Sequence, residues 1–185
     1  MSFMSKVYTS AVVIIPPENV WTPIQEIRKI HDRQINRWMP HVNLFYPFRP
    51  INEFNKLEKD FHKTCRQINS FEISLKIFNY FHHGNQRYTI WLNPEPAKLI
   101  IELQEKLLKI VPDCNDVNKH KNGFTPHLSL GQIRGKKELR SILEKLQNQW
   151  EELTFILNSI FFISREKNKS SKFHIEKKIA LQKLI

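Results

Sequence analysis

Two histidines stand in matching contexts. His41 lies in Met39-Pro40-His41-Val42-Asn43-Leu44 and His127 in Thr125-Pro126-His127-Leu128-Ser129-Leu130. In each case a proline precedes the ring, and an aliphatic residue, a small hydrogen-bonding residue and a leucine follow. An imidazole titrates near pH 6.5, so it can take or give a proton under ordinary conditions. Two of them facing one cleft form an acid–base pair. Taken singly, either histidine reads as a structural strand residue. An inward polar pair within apolar sequence must, however, be satisfied or functional, and here the arrangement occurs twice. Neither stretch holds further His, Cys, Asp or Glu at ligand spacing, which argues against a zinc site. His82 and His83 are adjacent, so in a strand they point to opposite faces.

The elements that must position these residues follow from periodicity. The run Ala11-Val12-Val13-Ile14-Ile15 reads as a buried strand ended by Pro16-Pro17. Val20, Ile24, Ile27 and Ile30 recur at helical spacing and predict a helix over 20–33. From 41 to 48 the period changes to two: Val42, Leu44 and Tyr46 alternate with His41, Asn43 and Phe45. Phe54, Leu57, Phe61, Cys65 and Ile68 give an amphipathic helix over 53–68, followed by strands at 71–78 and 88–92. The second half repeats this order. A helix over 96–111, a basic loop from Asp113 to Gly123, the strand 124–133, a helix over 136–149, and strands near 153–163 and 173–182 complete the chain. The two motifs align within this repeat, which suggests a duplicated unit. The expected architecture is α+β and bilobal: one domain over 1–185, with two antiparallel sheets and flanking helices around a central cleft. The repeat boundary falls near 80–87.

Composition narrows the partners. The 185 residues include 29 Lys and Arg against 18 Asp and Glu, a formal charge of +11. Residues 115–185 carry 14 of the basic side chains and only 7 of the acidic ones. Such a field attracts polyanions, and nucleic acid is the leading candidate. Much of the C-terminal excess comes from Lys119, Lys121, Arg134, Lys136, Lys137, Arg140, Lys167, Lys169 and Lys172, which a solvated surface would also explain. Cys65 and Cys114 are too few for a disulfide framework and fit a reducing compartment. The apolar run at the N-terminus is too short for a signal segment or a bilayer span. A cytoplasmic or nuclear monomer without membrane contact is expected.

The stretches RWMPHVNLFYPF and FTPHLSLGQI resemble the paired motifs of the two-histidine phosphoesterase superfamily: His, any residue, Thr or Ser, then an apolar residue. The histidines are 86 residues apart, and the element order is similar along nearly the whole chain. The resemblance implies His41 and His127 as catalytic residues, with no metal and no cofactor. One ring would remove a proton from the attacking oxygen and the other protonate the departing one. Asn43 and Ser129 would donate hydrogen bonds to the non-bridging phosphoryl oxygens. Asn43 departs from the usual Thr or Ser, yet its amide is still a donor. Tyr46, Phe48 and Phe124 lie beside the motifs as candidate stacking surfaces for a base. Arg165, after the late strand FFISRE, stands near where relatives place cleft residues. The implied substrates are RNA or nucleotides with a 2′,3′-cyclic phosphate. The alternatives are cleavage or ligation of 2′-5′ linkages, or an RNA-end-binding module without turnover.

Overall fold

The computed structural model describes residues 5–119, 123–168 and 170–183. Lys121 and Lys169 of the basic excess lie outside the described residues. The fold is α+β, and the described residues form eight strands and four α-helices: β1 Ser10–Ile14, α1 Trp21–His31, β2 Val42–Phe45, α2 Phe54–Cys65, β3 Phe71–His82, β4 Arg87–Glu95, α3 Ala97–Leu108, β5 Leu128–Arg134, α4 Lys136–Gln149, β6 Leu153–Leu157, β7 Ser159–Ser164 and β8 His174–Ala180.

Two separate sheets are not what forms. The strands make one sheet in the order β6-β3-β4-β5-β2-β1-β7-β8. Each neighbouring pair runs antiparallel. The two four-strand halves meet at β2 and β5 through one register pair, Val42 with Leu128. The chain builds β1 and β2 of one half, then all four strands of the other, and returns to the first half with β7 and β8. Residues 83–86 close the β3–β4 hairpin inside one half, while β1, β2, β7 and β8 form the other. The stretch 153–163 is two strands rather than one. It breaks at Asn158, and the two pieces go to different halves, β6 pairing with β3 and β7 with β1.

The helices lie against one face of the sheet. Ile24, Ile27, Phe54, Leu57, Phe61, Ile100, Leu103, Leu107 and Leu139 join a single core with Val12, Ile14, Val42, Leu44, Leu128 and Leu130. Side chains alternate along a strand, so Ala11 and Val13 point the other way. There they join a smaller cluster with Ile163 and Phe173. At Gly131 a Cβ atom would collide with the backbone of His31, so the end of α1 sits directly on β5. Arg28 of α1, almost fully buried, pairs with Asp32 at 2.7 Å and donates to the Trp38 carbonyl at 2.9 Å. These contacts tie α1 to the segment leading into the first histidine motif.

Candidate active site

The two motifs flank the junction between the half-sheets. Val42 and Leu128 are paired there and face the core, so His41, Asn43, His127 and Ser129 face the opposite side. Antiparallel register, carried one residue either way, sets His41 across from Ser129 and Asn43 across from His127. The histidines are therefore diagonal neighbours on one face. Their charges interact, for His127 is one of the groups that disfavour protonation of His41.

Both rings are anchored alike. His41 Nδ1 lies 2.7 Å from the Met39 carbonyl, and His127 Nδ1 lies 2.8 Å from the Thr125 carbonyl. A carbonyl accepts only, so each Nδ1 carries the proton and donates it. In a neutral ring, the lone pair is then on Nε2. Both strands also carry a bulge at the third residue after the histidine. β1 pairs Val12 with Phe45 and Val13 with Asn43, skipping Leu44; β4 pairs Ile90 with Gly131 and Trp91 with Ser129, skipping Leu130. An extra residue on one strand reverses the alternation beyond it. Phe45 therefore turns into the core and Tyr46 joins the histidine face, the reverse of the unbroken alternation expected for 41–48.

The walls differ. His41 lies flat on Trp38, with centroids 4.5 Å apart and planes 14° apart. Trp38 in turn stacks on Phe173 at 3.8 Å and meets Tyr46 edge-on at 5.2 Å. His127 meets Phe81 edge-on at 4.9 Å and Trp91 at 5.9 Å. Burial lowers the His41 pKa to about 4; the hydrogen bond to Met39 opposes that, Arg28 and His127 add to it, and Asp32 opposes it. This ring is neutral at physiological pH. Asn43 places its side-chain nitrogen 3.2 Å from His41 Nε2, while its Oδ1 is buried with no hydrogen-bond partner among the described residues.

The remaining sequence candidates divide. Tyr46 is half-buried on the cleft side, its hydroxyl 3.3 Å from the Tyr8 carbonyl. Burial raises its pKa, while Arg165 and Arg37 lower it, which places both cations close by. Arg165 lies 5.5 Å from the Phe173 ring centroid and donates to Glu166 and Asn168 carbonyls and to Ser171, bracing its own loop. Phe48 and Phe124, expected beside the cleft, are turned into the core instead. Phe48 is fully buried among Phe45, Phe54, Phe61 and Phe162, and Phe124 belongs to the same core, so neither presents a ring face to a base. Phe81, Trp91 and Phe173 also line the site, although no sequence pattern marks them. The pairing of Trp91 with Ser129 puts it on this face, but only the strand register reveals that.

Two identically anchored histidines thus share one face at a strand junction, the arrangement that the resemblance of the two motifs to two-histidine phosphoesterases implies. The sequence matches the 2′-5′ RNA ligase superfamily over residues 16–169, and the chain belongs to that family. Among solved structures it is similar to TT0787 of Thermus thermophilus, with a TM-score of 0.65 and 18% identity over 96% of this chain and 100% of that one. It is also similar to Escherichia coli LigT complexed with 3′-AMP, with a TM-score of 0.63 and 14% identity over 94% of this chain and 98% of that one. At such identities the likeness is one of fold. No curated protein matches the sequence. Among the described residues, no helix is long and apolar enough to cross a membrane.

Proposed function

We propose that the chain is a phosphodiesterase that hydrolyses 2′,3′-cyclic phosphate ends of RNA or nucleotides, with His41 and His127 as its acid–base pair. The observation that carries this reading is the shared anchoring of the two rings, each with Nδ1–H on the carbonyl two residues upstream, which makes Nε2 the nitrogen that exchanges a proton with substrate. His41 is neutral and is the base. Its Nε2 takes a proton from water as the water oxygen bonds to phosphorus. His127, protonated, donates to the ribose oxygen as its bond to phosphorus breaks, leaving a monoester. A base with a pKa near 4 is weak, but a phosphate in the cleft favours the protonated ring and raises that value. Asn43 and Ser129 supply donors to the non-bridging oxygens, where negative charge accumulates. Tyr46 and Arg165 hold the nucleoside or the neighbouring phosphate. The histidines act within a single domain of two pseudo-symmetric lobes.

LigT was solved with 3′-AMP bound, which supports a nucleotide as the ligand class here. One observation favours a second reading, an RNA-end-binding module without turnover: the Asn43 amide occupies the Nε2 of the proposed base. The test is turnover by the purified protein on 2′,3′-cyclic nucleotides, 2′-5′ oligoadenylates and cyclic-ended RNA, with a chelator present. Hydrolysis of the cyclic substrates to monoesters, unaffected by the chelator, is expected. Preference for the 2′-5′ oligomers would move the activity to that linkage. Loss of turnover on chelation would sink the metal-independent mechanism. Binding of RNA with no turnover would establish the binding module.

A further inference from the structure

Asn43 does something at His41 that follows from its amide rather than from its position alone. Its nitrogen lies 3.2 Å from Nε2, and Nδ1–H of the same ring is committed to the Met39 carbonyl at 2.7 Å. Nε2 of the neutral ring has only a lone pair, so the amide must be the donor. That donation fills the orbital with which His41 would accept a proton. We propose that Asn43 caps His41: its amide occupies the Nε2 lone pair in the resting site and must leave before the ring can act as a base.

The inference rests on the acid–base reading above and adds to it a condition for starting. Oδ1 of Asn43 is buried with no hydrogen-bond partner among the described residues, so the capped arrangement leaves one end of the amide unsatisfied. An arriving phosphate is a charged acceptor and competes well for the amide N–H, because charge-assisted hydrogen bonds are the stronger ones. Once the amide turns, Nε2 is open to the attacking water. When the ring has taken the proton, Oδ1 can accept the new Nε2–H, and the amide nitrogen stays on the phosphoryl oxygen. One rotation thus couples substrate arrival to release of the base. Of the charged groups around the ring, Arg28 and His127 disfavour its protonation and Asp32 favours it. Asn43 acts in the same direction as Arg28, because donation to the lone pair stabilises the neutral ring.

The test compares the wild-type protein with Asn43→Ser. Diethyl pyrocarbonate attacks the unprotonated imidazole nitrogen, and mass spectrometry reads modification at His41 with His127 as internal reference. His41 should react about fivefold faster in Asn43→Ser, the factor that one ordinary hydrogen bond represents. The acid limb of the pH–rate profile should move to higher pH in the variant, which a purely structural role for Asn43 would not produce. Equal His41 reactivity in two folded proteins would overturn the cap. A measurement on the wild-type protein alone guards against a variant that does not fold. ¹⁵N spectra of the histidines at neutral pH should show the His41 proton on Nδ1, and a proton on Nε2 would overturn the proposal. Protection of His41 in the absence of any turnover would remove the hydrolase reading and leave the cap standing.

Discussion

The two histidine motifs are built on one backbone device and set in two different chemical surroundings. Each has a proline before the ring, an Nδ1 hydrogen bond to the carbonyl two residues upstream, aliphatic residues turned into the core, and a bulge three residues on. Around this shared frame the side chains diverge. His41 is pressed flat against Trp38 and touched by an amide; His127 meets Phe81 edge-on and neighbours a serine. Repetition of the backbone places two identical groups on one face, and divergence of the walls makes their surroundings unequal. An acid–base pair needs this inequality, since one ring must begin neutral and the other charged.

The largest effect expected from breaking the comparison is on catalysis. His41→Ala and His127→Ala should each cut turnover of a 2′,3′-cyclic nucleotide by at least about a hundredfold. If the rings act as a unit, the double variant should be little worse than the poorer single one. Multiplying losses would show that they act independently. Next comes Arg28, which has its ion pair and the Trp38 carbonyl to hold on the His41 side. Arg28→Ala strands the buried Asp32 and should cost about 3 kcal/mol in urea unfolding. A cost below about 1 kcal/mol would mean that the pair does not brace the motif.

Trp38 and Phe81 sharpen the contrast through pH. Removing Trp38 exposes more of the His41 ring to water, so its pKa should rise from about 4 towards the usual histidine value in an NMR titration. Phe81→Ala, on the other wall, should leave His41 nearly where it was. The same half-buried ring links stability to pH. Its pKa is depressed in the folded state, so between about 6.5 and 4 the unfolded chain binds a proton that the folded chain does not. Stability should be full above about pH 6.5, fall as pH drops towards 4, and lose no more from this group below that. Thermal unfolding of wild type against His41→Gln over that range should show a flatter dependence in the variant. The smallest effect belongs to Tyr46→Phe, which loses one long hydrogen bond to Tyr8 and should cost about 0.5 kcal/mol in urea unfolding.

Much of this was legible in the sequence, for identifiable reasons. Alternation in Val42 and Leu44, and again in Leu128 and Leu130, marks strands with one buried face, and the histidines then have to occupy the other. The amphipathic helices were equally plain, because Phe54, Leu57 and Phe61 can lie on one side only if the segment is helical. What escaped was set by backbone geometry or by distance along the chain. Nothing in Leu44-Phe45-Tyr46 announces a bulge, so the faces of Phe45 and Tyr46 were exchanged. Phe48 and Phe124 look like stacking surfaces when only their neighbours are known, yet three-dimensional packing gives both to the core. Phe81, Trp91 and Phe173 reach the site from β3, β4 and the segment before β8, contacts that no local pattern encodes. The Asn158 break falls where one continuous apolar stretch serves two half-sheets, a division that only the pairing partners define.

In the proposed reaction the two histidines serve one phosphate. A crystal structure of the protein with adenosine 2′-monophosphate tests it most directly. The expected result is a single phosphate with Nε2 of both His41 and His127 within hydrogen-bond reach, and the Asn43 amide turned from the ring to a phosphoryl oxygen. A phosphate bound elsewhere, with His41 Nε2 still held by Asn43, would contradict it.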